Sequence, residues 1–192
     1  MAKLSAEDRA LVYRKGRTIY FFDDIEASSV CEAIKLIQDI TIESPKSKQP
    51  IEFIINSEGG NCYDGLALYD ALRQSDYEIV TIGTGIVASM ALIIFLAGDQ
   101  RLVTENTRLM NHQMSTGVEG KVTDVGIDYN EAKALDEVMN EIISERTGIT
   151  LHKLKKEIRI GDRWFTAEQA ADEGYADEVI QNKHPRRRRK KK

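Results

Sequence analysis

The sequence is poor in cysteine and proline and has no long apolar run, and each shortage excludes a class of protein. The two cysteines, Cys31 and Cys62, have no metal-ligand spacing around them, so we expect no metal site and a reduced, cytoplasmic setting. The three prolines form no proline-rich linker. The longest apolar stretch, Met90 to Gly98, is far shorter than the roughly 18–20 residues that cross a bilayer. No membrane segment is predicted, and this stretch suits a buried helix.

The composition is typical of one soluble globular domain with a sizeable core: 42% of the 192 residues are hydrophobic and 30% are charged. The net charge is −4, but Lys183 to Lys192 holds eight Lys and Arg, which leaves −12 on residues 1–182. We therefore predict one domain over residues 1–182 and a basic, disordered tail over residues 183–192. The acidic body argues against a general nucleic-acid-binding surface, although the tail is also suited to polyanions or an acidic partner.

Strand and helix patterns alternate along the first half of the chain. Thr18 to Phe22 is β-branched and aromatic, which predicts a strand, and Ser29 with Glu32 has the spacing of a capping box at a helix start. Strands are also predicted over Ile51 to Asn56 and Ile79 to Thr84, each with a helix after it. This alternation indicates an α/β fold built from parallel βαβ units.

Residues suited to acyl transfer fall where these elements meet. A glycine pair, Gly59-Gly60, follows one predicted strand, and Ser89 opens the apolar helix after another. Ligands of parallel sheets gather at the carboxyl ends of the strands. His112 follows the apolar pair Leu109-Met110, and Asp162 comes later still. A nucleophile, a base, an orienting carboxylate and free backbone N–H groups are what a serine hydrolase needs.

One long helix is predicted from Thr123 to Arg146, about twice the roughly 11–12-residue average. Apolar residues recur along it at intervals of three or four, on more than one flank. The rest of this small domain is too small to cover a long helix with apolar residues on more than one flank. This favours packing of the helix against another subunit. The alternative is an ordinary amphipathic helix that lies on its own sheet. Gly148 ends this helix, and Thr166 with Gln169 predicts the start of a later one.

Between Ile51 and Ile180 the chain resembles the proteolytic subunit family of the Clp protease, the ClpP family. Several ordered motifs carry the resemblance: Asn56-Ser57-Glu58-Gly59-Gly60, Gly85 to Met90, Asn111-His112-Gln113, Asp162 to Ala170, and Glu173 to Val179. They are similar to the family's Asn-Ser-Pro-Gly-Gly turn, its Gly-x-x-Ala-Ser-Met nucleophile segment, its His-Gln pair, the segment after its third catalytic residue, and its closing strand. Several motifs in one order are more specific than any lone motif.

The resemblance implies a ClpP/crotonase-like α/β fold of stacked βαβ units, with the long helix as a protruding handle through which two rings join. It also implies that Ser89 is the nucleophile, His112 the general base, and Asp162 the group that orients the imidazole. The backbone N–H groups of Gly60 and Met90 would line the oxyanion hole. No cofactor and no metal is implied for this subunit.

Each site residue also has a plainer interpretation. Ser89 suits tight packing as a small residue, and His112 suits a hydrogen-bonded structural role. Asp162 suits a surface carboxylate paired with Arg163 or Arg159, and the glycines suit a simple turn. For any one residue considered alone, the structural interpretation is a strong alternative to a catalytic role. The ordered motifs considered together favour catalysis.

The chain departs from the family pattern at several positions. Glu58 and Met114 stand where the family has proline, and Ile160 stands where it often has an acid. The outward positions of the strand before the glycine turn are predicted to be Glu52 and Ile54, where the family has aromatics that dock the unfoldase. A carboxylate is costly to bury unpaired, so docking of a Clp-type ATPase is a weaker expectation than catalysis.

The sequence therefore predicts a ClpP-like serine endopeptidase that cleaves unfolded proteins or peptides inside an oligomeric ring chamber. The family resemblance implies stacked rings forming a homo-oligomer, a tetradecamer, with a Clp-type ATPase unfoldase as a possible partner. Three alternatives stay open. They are a catalytically inactive ring subunit, an acyl-CoA enzyme of the crotonase class, and a protease that works beside nucleic acid through the basic tail.

Overall fold

The computed structural model describes residues 11–115, 117 and 119–183, which form an eight-stranded sheet with six helices. The strands are β1 Val12–Lys15, β2 Thr18–Phe21, β3 Ile51–Ser57, β4 Ile79–Ala88, β5 Gln100–Thr104, β6 Arg108–Asn111, β7 Arg163–Thr166 and β8 Glu178–Ile180. The helices are α1 Ala27–Glu43, α2 Cys62–Arg73, α3 Met90–Phe95, α4 Val122–Thr147, α5 Leu151–Ile158 and α6 Ala167–Asp172. The predicted basic tail lies outside the described residues except for Lys183.

The sheet is mainly parallel, as the alternation of patterns predicts. Its main path runs β1-β2-β3-β4-β5-β8, in which only the β1–β2 pair is antiparallel. Two strands lie off this path: β6 pairs in parallel with the end of β4, and β7 pairs antiparallel with β6. The α/β fold is confirmed, and strands β1, β5 and β7 add to those that the patterns predict.

Strand β4 is longer than its pattern predicts because it continues through a glycine. The prediction ended the strand at Thr84, but the chain passes Gly85 and stays extended to Ala88. Gly85 has φ +60°, and a Cβ there would lie 2.4 Å from Asn56 Oδ1. That same oxygen accepts the Ile86 N–H at 3.0 Å. The first half of β4 therefore pairs with β5, and its end, beyond the Gly85 bend, pairs with β6 instead.

The core lies between the sheet and helices α1, α2 and α3. Every residue of α3 is buried, and Ile51, Phe53 and Ile55 of β3 point into the same core. Gly65 allows helices α2 and α3 to approach closely, since a Cβ there would lie only 2.2 Å from Met90 Cγ. The opposite face of β3 carries Glu52 and Ile54, as predicted, with Glu52 exposed and Ile54 half-buried.

The capping box predicted from Ser29 and Glu32 is wrong by one turn. Helix α1 begins at Ala27, with Glu26 at the N-cap position and Ser29 already inside the first turn. The Ser29 hydroxyl accepts the Glu26 N–H at 3.2 Å and donates to the Asp24 carbonyl at 2.7 Å. Serine supports a helix start from either position, so spacing alone misplaced it. The box predicted from Thr166 and Gln169 at the start of α6 is present.

The long helix is confirmed, and α4 exceeds its predicted bounds by one residue at each end. Gly148 ends it in the left-handed conformation, with φ +76°. Only its second half packs on the body, through buried residues that include Leu135, Asn140 and Ile143. Its first half is almost wholly exposed, apolar Ile127 and Tyr129 included. Within the described part of the chain, no helix combines the length and apolar character that a membrane crossing requires.

Candidate active site

The turn between β4 and α3 presents Ser89 in an unusual backbone conformation. Ser89 has φ +54° and ψ −126°, and it is the only non-glycine residue with positive φ among those that the structure describes. Its N–H donates to the Met110 carbonyl at 3.0 Å, and its own carbonyl accepts the Leu92 N–H at 3.0 Å. The turn is thus held from both sides. Strain of this kind at a strand-to-helix turn is typical of a serine that is displayed for attack.

His112 is brought to Ser89 by the pairing of β6 with the end of β4. The register places Ala88 opposite Met110, so the residues just beyond the two strands meet at one edge of the sheet. His112 Nε2 lies 2.7 Å from Ser89 Oγ, and both side chains are half-buried. In the tautomer that leaves Nε2 unprotonated, the hydroxyl donates to it, and the imidazole is placed to take that proton.

The glycine pair packs directly beside the nucleophile. Gly59 has φ +114°, and a Cβ there would lie 2.7 Å from the Cβ of Ser89. A Cβ on Gly60 would lie 2.2 Å from the Ile25 carbonyl oxygen. Ile25 holds the turn on both sides, since its N–H donates to Gly59 at 2.8 Å and its carbonyl accepts the Asn61 N–H at 2.7 Å. Only glycine fits either position, and the exposed Glu58 leaves this geometry intact.

Two backbone N–H groups beside Ser89 are free to bind an oxyanion. Neither the Gly60 N–H nor the Met90 N–H donates a hydrogen bond to any residue within the described ranges. Both residues line a cavity of about 140 Å³ together with Ser89 and His112. Preorganised N–H donors at such a place stabilise the negative charge of a tetrahedral intermediate. Four of the five predicted site residues therefore converge on one cavity.

Asp162 is the predicted site residue whose side chain does not join them. Its backbone adjoins the end of the β6–β7 pairing, because Asn111 pairs with Arg163, and His112 and Asp162 are the next residues beyond that pair. Its side chain is exposed and makes no hydrogen bond to the imidazole or to another described residue. The alternative, an ion pair with Arg163 or Arg159, is not formed among the described residues, where the Arg163 guanidinium instead pairs with Glu157 and Glu173.

The sequence did not predict that the remaining wall of the cavity carries polar groups from α4. Asn140 is 3% exposed, and its Nδ2 donates to the Asp136 carbonyl at 2.7 Å and to Asp136 Oδ2 at 3.2 Å. Asp136 Oδ1 accepts the Met114 N–H at 3.2 Å. Burial, and after it the Asp136 charge, raises the pKa of the Cys62 thiol in the same cavity. The sequence signal available was a pair of polar residues that interrupts the apolar spacing of α4.

The described residues contain no group of three or more His, Cys, Asp or Glu side chains arranged to hold a metal ion. Fold and site together define an α/β protein with a serine–histidine pair and free amides at the carboxyl edge of a parallel sheet, an arrangement suited to acyl transfer. The sequence model of the Clp protease family matches residues 5–183. The chain therefore belongs to the Clp protease family, and the resemblance of its motifs is confirmed.

Curated relatives agree with this assignment. The chain is 36% identical over 160 residues to ATP-dependent Clp protease proteolytic subunit 2 of Corynebacterium glutamicum, covering 82% of this chain and 77% of that protein. It is 36% identical over 160 residues to proteolytic subunit 1 of Corynebacterium jeikeium, covering 82% of each. With proteolytic subunit 2 of Bifidobacterium longum the identity is 31% over 171 residues, covering 86% and 80%. A protease function is therefore supported at the level of the family.

Proposed function

We propose that this chain is a ClpP-like serine endopeptidase that cleaves unfolded proteins or peptides. The observation that carries the proposal is the 2.7 Å contact between Ser89 Oγ and His112 Nε2. This pair joins residues 23 positions apart in the chain, beside two N–H groups that have no other partner among the described residues. A packing serine or a structural histidine needs neither the contact nor the free amides.

The reaction proceeds through an acyl-enzyme. His112 takes the Ser89 hydroxyl proton as Oγ attacks the peptide carbonyl carbon, and the carbonyl oxygen becomes an oxyanion held by the Gly60 and Met90 N–H groups. The imidazolium then protonates the leaving amine as the C–N bond breaks. Water, deprotonated by His112, attacks the ester, and the Ser89 hydroxyl is restored as the acid product leaves.

Asp162 is proposed as the residue that orients His112. The β6–β7 register supports this role, since its last pair is Asn111 with Arg163, the two residues next to His112 and Asp162 in the chain. A side-chain rotation that turns the carboxylate toward Nδ1 would fix the tautomer that the base needs, and it would stabilise the imidazolium. Catalytic hydrogen bonds are often long or unmade before substrate arrives.

We also propose that the subunits assemble into stacked rings, in a tetradecamer, and that a Clp-type ATPase supplies unfolded substrate. The exposed apolar side chains on the first half of α4, among them Val122, Ile127 and Tyr129, support the assembly, because burying them against another subunit is favourable. For the ATPase, Glu52 is paired rather than orphaned, since it accepts the Thr18 hydroxyl at 2.7 Å. Tyr20 pairs with Ile54 across β2 and β3 and stacks on Tyr13 at 4.7 Å, so aromatics border this face.

A serine-directed fluorophosphonate tests the proposal directly. We expect the wild-type protein to be labelled and the Ser89→Ala variant to be unlabelled and inactive on an unfolded protein such as casein. Ser115→Ala is the matched control for labelling, because Ser115 lines the same cavity but, unlike Ser89, makes no hydrogen bond to His112. Label that persists in Ser89→Ala, or wild-type protein that takes none, would count against the proposal.

Of the three alternatives, a protease that works beside nucleic acid depends on the basic tail, which lies outside the described residues except for Lys183. The other two functions have weaker support. An inactive ring subunit has no use for a formed serine–histidine contact. An acyl-CoA enzyme of the crotonase class would use the Gly60 and Met90 N–H groups to hold an enolate, but it does not require the histidine beside Ser89. Binding of a CoA thioester without cleavage of casein would favour that rival.

A further inference from the structure

The cavity beside Ser89 contains an acidic group that the proposed reaction does not use. We propose that this cavity selects lysine or arginine at the residue whose carbonyl Ser89 attacks, with the Asp136 carboxylate as the acceptor of the basic group. The inference rests on the proposed peptidase function and names its substrate preference.

The position of the cavity determines which substrate side chain enters it. Ser89, Gly60 and Met90 line it, so it adjoins both the attacking hydroxyl and the N–H groups that would hold the carbonyl oxygen. The side chain closest to these atoms belongs to the acyl-donating residue. At about 140 Å³ the cavity is close in size to an engineered cavity of roughly 150 Å³ that binds benzene, so one large side chain fits.

The walls suit a long side chain with an apolar stem. They include four apolar side chains of α3 and α4: Met90, Ile93, Met139 and Ile143. Lysine and arginine bury their methylene stems against such surfaces while the charged end reaches a polar group. A lysine or arginine in the cavity also requires a hydrogen-bond acceptor for its charged end.

Asn140 and Asp136 supply acceptors. Asn140 is 3% exposed, and its Nδ2 is used on Asp136, but its Oδ1 accepts no hydrogen bond from a residue in the described part of the chain. From the described residues, the Asp136 carboxylate receives only two hydrogen bonds, from Met114 N–H and Asn140 Nδ2, both at 3.2 Å and therefore at the long end of the range. An ionised carboxylate has lone pairs for about four.

Asp136 also forms no ion pair within the described residues. No Lys or Arg there lies within 4.0 Å of its carboxylate, although Lys133, Lys155 and Arg159 line a neighbouring cavity with it. A half-buried carboxylate without a counter-charge is costly, and a substrate cation offsets that cost. The charge acts inside the cavity, because it is the second cause, after burial, of the raised Cys62 pKa. Met114, in place of the family's proline, supplies an N–H that holds Asp136 there.

Two fluorogenic peptides that differ only at the acyl-donating residue test the inference. Lysine and norleucine fill the walls alike, and only lysine adds a charge. We expect wild-type kcat/KM to be about tenfold higher for the lysine peptide, the effect of one charge-assisted hydrogen bond. Asp136→Asn should remove most of that ratio, and Asp136→Glu should keep it. Glu141→Gln removes the same charge from an exposed site on α4 and should leave the ratio unchanged.

The outcomes separate the inference from the function on which it rests. A wild-type enzyme that cleaves norleucine as well as lysine, or an Asp136→Asn variant with an unaltered ratio, overturns the lysine preference and leaves the peptidase standing. Cleavage of neither peptide, together with no fluorophosphonate label on Ser89, overturns the proposed function and the inference with it.

Discussion

At the scale of single residues, the site depends on positions where only one residue type fits. Gly59 and Gly60 leave no room for a Cβ, at 2.7 Å from Ser89 and 2.2 Å from Ile25. Ser89 itself occupies a positive-φ conformation that is strained for a residue with a side chain. These three positions are set by backbone geometry, whereas the proposed role of Asp162 requires its exposed side chain to turn toward His112.

Asp162 can therefore be tested separately from the serine–histidine pair. We expect Asp162→Asn to lower kcat on the order of 10⁴-fold, because an amide opposite Nδ1 favours the wrong imidazole tautomer. Steady-state peptide hydrolysis gives this value, and the rate of fluorophosphonate labelling should fall with it.

Asp172→Asn is the matched control, since it removes an equally exposed carboxylate from α6. It should keep wild-type activity. If Asp162→Asn also keeps wild-type kcat, the orienting role belongs to another group, and the proposed triad reduces to a pair.

At the scale of elements, one arginine ties three of them together. Arg101 of β5 is 8% exposed, and its guanidinium donates to the carbonyl of Arg146 near the end of α4 at 2.8 Å. It also donates to the Gly174 carbonyl at 3.1 Å and to Asp177 Oδ1, just before β8, at 2.5 Å. The Arg101 guanidinium therefore links β5 to the end of the long helix and to the start of β8.

We expect Arg101→Met to lower the free energy of unfolding by about 3 kcal/mol, because it removes the cation from the Asp177 carboxylate and the guanidinium donor from two carbonyls, leaving that carboxylate the backbone N–H of residue 101. Urea denaturation monitored by circular dichroism measures the change. Arg73→Met is the control, since the Arg73–Asp99 pair is more exposed and should contribute about 1 kcal/mol or less.

A pH series gives this prediction a second measurement. Burial acts to raise the pKa of Asp177, but hydrogen bonds from the Arg101 side chain and backbone outweigh it, so that the pKa is lowered. A lowered carboxylate pKa contributes stability above the group's ordinary pKa, and this is lost as the pH falls through the folded-state value. The difference between wild type and Arg101→Met should therefore narrow in acid. A difference that is constant with pH would remove Asp177 from the explanation.

At the scale of the whole molecule, the exposed first half of α4 is the surface that we expect to form contacts between subunits. Ile127 and Tyr129 are each 61% exposed, and Val122 is 91% exposed. The handle is tied to the body near its middle, where the Tyr63 hydroxyl donates to Glu131 at 3.0 Å. Such a surface is expected to be covered by another copy of the chain.

We expect Ile127→Asp to shift the protein from a large oligomer toward smaller species, because a charge is costly to bury in an apolar interface. Sedimentation velocity measures the change in size. Asn130→Asp adds the same charge on the exposed helix without removing an apolar side chain and should leave the assembly intact. An unchanged oligomer in Ile127→Asp, or a wild-type protein that is monomeric, would show that this face is not the interface.

Much of the architecture could be predicted because its signals are local. The long helix was placed within one residue at each end, since helical periodicity and a terminal glycine lie within the segment itself. The strand over Ile51 to Asn56 was placed equally well. The start of α1 was misplaced, because serine supports a helix from the N-cap or from the first turn. Strand β4 was ended too early, since Gly85 is a bend whose use depends on Asn56, far away in the chain.

The sequence by itself determined the α/β class and the family, because motif order and spacing are properties of the chain, and it predicted the residues of the proposed site. Tertiary structure decided which of them meet. The β4–β6 register brings His112 to Ser89, and the rotation of α4 against α3 turns Asp136 and Asn140 into the cavity. Register and helix rotation are set by packing among residues distant in sequence, which no local pattern encodes. For the same reason, it is the pairing of β6 with β7 in the folded chain that brings Asp162 close to His112.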